Sequence, residues 1–455
     1  MRPTVADSLW YPRPNVFVDT RLSPDRDVAN EWGRRERLYF LLVLGLVSFP
    51  STSLYYAAPV VALLLLRTPG VVAWCAKWCM ALAFLSFVSF SFLLARGVEL
   101  SLPAAAFYPV THGVMLLLPV YARFLPRMNE ESWQWLLKVL GGWLILQSAI
   151  GVMQFALGQN GDMVSGTFGF FDVFRGSVTI SQVMFTCTVF PVSLVLLASG
   201  RRRWLTLAAL SGLFAAILAQ SGHQTIFLFA SAVALAILQG KRVKLMLGVV
   251  LIGALFAITL LSFHPTTLET THSWYRKTIV HESPKKNVAL AGIDELGNPS
   301  AFFFGVGPGQ FCSRAGLIAS GKYLTVSFPS FLVEPSHAYR EIIEPQRKRY
   351  KEVGESSAIA QPYASAIAIP LEWGVPVAAT LLFFFGRTLF RNIAVLRKSD
   401  GERARLAYVV STVLMAFFLC CFVENYVEFV QGVTIPALLL CLAGQRIQKL
   451  GKDTA

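Results

Sequence analysis

Phe304-Gly305-Val306-Gly307-Pro308-Gly309-Gln310-Phe311 lies inside the only long polar stretch after the first forty residues, His264 to Gln361. Apolar runs of about twenty residues recur on both sides of it, each long enough to cross a roughly 30 Å hydrocarbon core. That contrast decides the fold class: an all-α polytopic membrane protein with one large loop set among its spans. Gly305, Gly307 and Gly309 admit two readings. They form a tight turn with backbone angles that other residues resist, or they present backbone N–H groups to a phosphate. The polar stretch also holds His264, His272, His281 and His337, four of the six histidines.

Composition agrees. The chain has 455 residues, 55% hydrophobic and 15% charged, with a mean hydropathy of +0.56. Soluble domains carry about 25% charged residues. The net charge of +14 would suggest nucleic acid in a soluble protein. Here it follows from topology, because Lys and Arg collect in cytoplasmic loops, and no nucleic-acid partner is expected. Cys75 and Cys79 stand four apart, but no further ligand joins them, so no metal site is expected.

Basic clusters set the register. Residues 1–37 read as a cytoplasmic arm ending in Arg34, Arg35 and Arg37. Residues 38–263 hold nine spans: Leu38–Phe49, Leu54–Leu66, Val71–Ala95, Ala104–Tyr121, Trp133–Leu157, Ser177–Ala198, Leu205–Ala219, Thr225–Leu238 and Leu245–Phe263. Residues 264–363 form the large extracytoplasmic loop, with 11 Lys or Arg and 9 Asp or Glu from His264 to Gln361. Residues 364–445 hold the last three spans, Ala364–Phe385, Leu406–Val423 and Val430–Ala443, and residues 446–455 are a cytoplasmic tail. Twelve spans with both ends inside is the expected topology.

This layout resembles the O-antigen ligase and polymerase superfamily of bacterial surface-glycan enzymes, over roughly residues 130–445. Three segments carry the resemblance. Phe304–Phe311 is similar to the family's glycine-rich segment early in the large loop. Ser165-Gly166-Thr167-Phe168-Gly169-Phe170-Phe171-Asp172 resembles its G-T-F segment, and Leu371-Glu372-Trp373-Gly374-Val375-Pro376 its Glu-x-Gly segment. The resemblance implies a lipid-dependent, GT-C-like glycosyltransferase of the inner membrane with its active site facing the periplasm. It implies a donor glycan on undecaprenyl diphosphate and an acceptor glycan or lipid A–core, with membrane lipids around it. No nucleotide sugar, cofactor or obligatory metal is implied. Two positions depart from the family. Ser221-Gly222-His223-Gln224 stands where members carry Ser-Arg-Gly. Tyr363 stands eleven residues before Gly374, where the ligases carry a histidine. The second departure favours a polymerase over a ligase.

Such a transfer needs a group to take or orient the acceptor hydroxyl's proton and cations to stabilise the leaving diphosphate. Histidine suits the first role and arginine the second. His337 is the candidate base or acceptor-positioner, and Arg340 shares its face if that segment is helical. Arg175, His223, Arg314, Gly305, Gly307, Gly309, Tyr363 and Glu372 are candidates for diphosphate or substrate binding. A surface-loop role for His337 and a neutral hydrogen-bonded role for His223 remain the plain alternatives. Glu372, Glu424 and Glu428 are costly acids near the membrane that position a sugar hydroxyl or pair with an arginine. His112 reads as structural. Two other functions compete: a flippase for the same lipid-linked sugar, and a non-catalytic assembly subunit. Transporters tend to show internal repeats and broken mid-membrane helices; the two halves show no clear repeat.

Overall fold

The computed structural model describes residues 32–49, 54–66, 70–159, 164–169, 190–195, 203–219, 222–239, 243–265, 269, 272, 284–321, 329–352 and 364–452. The regular elements among the described residues are all helices, with no strand. Five of these helices are long and apolar enough to cross a membrane, or six if one bent pair is a single span.

In chain order the helices are α1 (Arg34–Ser48), α2 (Val71–Ala95), α3 (Leu102–Thr111), α4 (Gly113–Phe124), α5 (Glu130–Ala156), α6 (Arg203–Leu218), α7 (Gly222–Gln239) and α8 (Val243–Phe263). After these come α9 (Pro284–Leu296), α10 (Pro299–Phe304), α11 (Arg314–Ala319), α12 (Glu344–Glu352), α13 (Ser365–Trp373), α14 (Val375–Lys398), α15 (Gly401–Cys420) and α16 (Val430–Lys452). Their starts follow from local chemistry. Asn129 opens α5 by accepting from Ser132 N at 2.8 Å, with Glu130 and Glu131 in the first turn, where the helix dipole favours acids. Ser101 opens α3 by accepting from Ala104 N, with Pro103 in the first turn.

The expected third span coincides with α2, and the fifth with α5 within a few residues. Two expected spans are interrupted instead. Ala104–Tyr121 falls on α3 and α4, which bend by 41° at His112. Ala364–Phe385 falls on α13 and α14, separated at Gly374 with φ +86°. Proline explains part of this: Pro103, Pro109, Pro119, Pro370 and Pro376 remove backbone donors on these helices. The stretch expected as one polar loop carries α9 to α12, held by the apolar side chains of Val288, Val306, Phe311, Leu317, Tyr339 and Ile343. Most of the sixth expected span lies outside the described residues.

The main core joins α1, α4, α5, α6, α15 and α16. Leu136, Leu137, Leu140 and Leu144 of α5 are fully buried. Between lipid-embedded helices close packing, rather than water exclusion, supplies the attraction. Small residues permit it here: a Cβ at Gly141 would stand 2.9 Å from Leu205 Cδ2, and one at Gly212 would stand 2.7 Å from Leu144 Cδ2. At one end of this core Arg446 of α16 reaches Glu130 of α5 at 2.5 Å and Glu402 of α15 at 3.0 Å. Its guanidinium also lies 5.8 Å from the Trp133 ring centroid.

Candidate functional site

Three chain interruptions meet away from that clamp: the bend at His112, the break at Gly374, and the turn between α15 and α16 that holds Tyr426 and Glu428. The glycine-rich segment and the start of α11 pack among them.

Glu372 organises the glycine-rich segment. Its carboxylate is fully buried and accepts from the N–H groups of Gly309 at 3.1 Å, Phe311 at 3.2 Å and Ser313 at 3.2 Å. The main chain beside it takes Val306 N at 2.7 Å on the Leu371 carbonyl and Gly307 N at 3.2 Å on its own. Gly305 N donates to the Ala301 carbonyl at 2.9 Å. The N–H groups of all three predicted phosphate-binding glycines are thus engaged within the protein. Their positive φ angles place them in the turn conformation. At Gly309 the requirement is double, because φ is +79° and a Cβ would strike the Ala104 carbonyl. Gln310 seals the junction by exchanging two 2.9 Å hydrogen bonds with the Ser101 backbone. Glu372 lies just ahead of α14, outside the candidate spans. Burial pushes its carboxyl up to about 7, against the pull of its N–H donors.

Glu428 is 1% exposed. One oxygen accepts from the Arg314 backbone N–H. The other stands 3.7 Å from His112 Nε2 and has no hydrogen-bond partner among the described residues. Burial first, and the charge of Glu372 second, raise its carboxyl well above the usual range. Arg314 is 7% exposed, and its guanidinium sits 4.0 Å from the Phe429 ring centroid, within cation–π range. Asn425 Nδ2 donates to the Cys312 carbonyl at 3.1 Å.

His112 stacks on Tyr108 with ring centroids 3.7 Å apart. The Tyr108 hydroxyl accepts from Trp373 Nε1 at 2.6 Å, which ties the two helix breaks together. His223 Nε2 lies 2.7 Å from the Tyr426 hydroxyl, to which Gln224 also donates. An apolar cavity of about 260 Å³ opens beside Trp373, lined by Leu85, Ser89, Phe303, Phe304 and Val377 among others. Among the described residues no group of three His, Cys, Asp or Glu side chains could hold a metal ion.

Of the residues predicted from sequence, the fold therefore brings together Arg314, Glu372 and Gly309. Gly305 and Gly307 lie in the same turn, and His223 reaches the site through Tyr426. His337 and Arg340 stand elsewhere. Both are exposed, and Arg340 pairs with Glu99. Their segment runs into a π-helical turn, Tyr339–Ile343. Arg175 and Tyr363 lie outside the described residues. Sequence reasoning read His112 as structural and placed it inside an unbroken fourth span, so it missed the helix break there. The available signal was its place before Gly113 and between Pro109 and Pro119, a pattern that interrupts a span.

In comparisons with protein-family models, curated proteins and solved structures, the chain matches none.

Proposed function

We propose that this protein is a membrane glycosyltransferase that moves a glycan from undecaprenyl diphosphate to an acceptor glycan, acting as a surface-polysaccharide polymerase rather than a ligase. One observation carries the reading: buried Arg314 beside two buried carboxylates, Glu372 and Glu428, at the meeting of three chain interruptions. Ionisable groups in such surroundings are costly and serve substrates by default. In this reading Arg314, with Arg175 and His223, stabilises the diphosphate as its charge develops. His337 and Arg340, on the exposed side, meet the glycan. The apolar cavity beside Trp373 offers the isoprenoid chain a wall. In this reading both chain ends lie in the cytoplasm, and residues 264–363 face the periplasm.

A second reading is a flippase for the same lipid-linked sugar. The breaks at His112 and Gly374 favour it, because discontinuous helices recur at transporter binding sites. The mass and leaflet of lipid-linked glycans in cells lacking the protein separate the two. Single repeat units on undecaprenyl diphosphate in the outer leaflet are expected. Finished polymer still on the lipid would make it a ligase. Units held in the cytoplasmic leaflet would make it a flippase, and an unchanged pool would leave an accessory subunit.

A further inference from the structure

Two arginines on the outer face of α14 have no partner among the described residues. α14 is a candidate span, and it buries only Asn392, Ile393 and Leu396, on one side near its end. Its opposite face is one stripe. Phe383, Phe384, Phe390 and Arg391 each stand three or four residues from Arg387, so they share its face. The three phenylalanines are 63%, 48% and 73% exposed. Both arginines are exposed too, with no hydrogen bond or ion pair to a described residue. The packing at the start of α14 fixes their level. A Cβ at Gly374 would strike the Phe303 carbonyl, and the Phe304 carbonyl accepts from Ser89 Oγ of α2 at 2.5 Å. Val377, further along α14, lines the same cavity as Leu85, one turn back along α2, so the two helices run antiparallel. Ser89 is six residues, about 9 Å, short of the end of α2, and Arg387 is thirteen residues, about 20 Å, beyond Gly374. Arg387 thus lies about one hydrocarbon thickness, roughly 30 Å, from the level where α2 ends. Arg391 lies one turn further out.

Arginines on a span ordinarily face the bundle interior or a water-filled cavity and find partners there. These two face outward, where the hydrocarbon ends and the headgroups begin. We propose that this face of α14 binds an anionic phospholipid of the leaflet at the Arg446 end of the bundle. The phosphodiester lies across Arg387 and Arg391, one helical turn apart, whose planar guanidiniums grip its oxygens by two-point hydrogen bonds. Phe383 and Phe384, one turn further into the membrane, take the acyl chains. Lys398, exposed at the end of α14, continues the stripe and strengthens the positive field at the surface. A zwitterionic lipid carries its own cation beside the phosphate, so charge favours an anionic headgroup. The site is separate from the cluster of Arg314, Glu372 and Glu428 and does not depend on the transfer reaction.

The test is native mass spectrometry of the full chain in detergent, titrated with phosphatidylglycerol or phosphatidylcholine, reading the Kd of the first lipid bound. Wild type is expected to prefer phosphatidylglycerol by about 25-fold, at about fivefold per arginine. Arg387→Gln/Arg391→Gln is expected to bind the two lipids within a few-fold of each other. Arg387→Lys/Arg391→Lys keeps the charge without the planar fork and is expected to fall between. Lys77→Gln/Lys138→Gln removes the same charge from exposed positions on α2 and α5 and is expected to keep the preference. A wild type without the preference overturns the proposal, as does an Arg387→Gln/Arg391→Gln variant that retains it. A lysine control that loses the preference as fully also overturns it, because the attraction is then a general field and not a site. Inorganic phosphate bound as tightly as phosphatidylglycerol overturns it as well, since the phenylalanines would then contribute nothing.

Discussion

The two ends of the bundle spend charge in opposite ways. At one end Arg446 meets Glu130 and Glu402 and stitches α5, α15 and α16 together. Both carboxylates there remain partly solvated, at 61% and 29% exposure, so water shares the work. At the other end Glu428 is buried with one oxygen unanswered, beside a histidine just too far away to bond. Glu372 is buried too, yet three backbone N–H groups answer its carboxylate. The clamp holds three helices together, and Glu372 holds the glycine turn in place. At the Glu428 corner a buried carboxylate oxygen keeps a cost that packing does not offset, and such costs recur at functional sites.

Substitutions can break or sharpen this contrast. The largest effect is expected at Gly309→Ala. Left-handed backbone costs a residue with a side chain roughly 1–2 kcal/mol, and the new methyl also displaces the Ala104 carbonyl. Little folded protein should be recovered from membranes. Gly97→Ala is the control: φ is +71° but nothing lies within 4 Å of the added carbon, so only the backbone cost should appear in Tm. If the two variants behave alike, the glycine-rich segment does not need its close approach to α3.

Glu372→Gln comes next. Its amide N–H₂ would oppose one of the backbone donors, and an unmade buried hydrogen bond costs about 1–3 kcal/mol. Tm should drop. The pH dependence has a sign as well. Folding raises this carboxyl from 4.5 to about 7, so the folded state binds the extra proton between those values. Its contribution is full below about pH 4.5 and is lost as pH rises through about 7. Thermal unfolding from pH 4.5 to 8 should be flatter in Glu372→Gln than in wild type, and equal slopes would remove Glu372 from the account.

Arg446→Met should cost less, about 1–2 kcal/mol, because Glu130 and Glu402 can rehydrate once the guanidinium is gone. Transfer by the folded fraction should be unchanged; a lost rate would mean the clamp communicates with the site. The smallest effect is expected at Arg340→Ala. Its exposed pair with Glu99 is worth at most about 1 kcal/mol, and Tm should barely move. A change in acceptor KM would tie this face to the glycan.

Several parts of this design were legible in advance. Arg314, Gly309 and Glu372 were singled out by residue type and setting, and Glu428 as an acid that lipid surroundings make expensive. His337 and Arg340 were chosen on chemical suitability, and residue type alone does not reveal burial. His112 was read as structural, and a histidine in an apolar run carries no mark that Glu428, 316 positions later in the chain, stands beside it. The glycines allowed two readings because a free and an engaged N–H look alike in sequence.

By itself the sequence determined that the chain is helical and membrane-spanning, and where α2 and α5 run. Those features are local: every backbone group in lipid must be satisfied within its own helix, and bilayer thickness sets the length. Only the tertiary structure decided that α3 bends away from α4 at His112, that Glu372 fills the glycine turn, and that Glu428 faces His112 with an oxygen to spare. These depend on contacts between residues far apart in the chain, and neither periodicity nor composition records them.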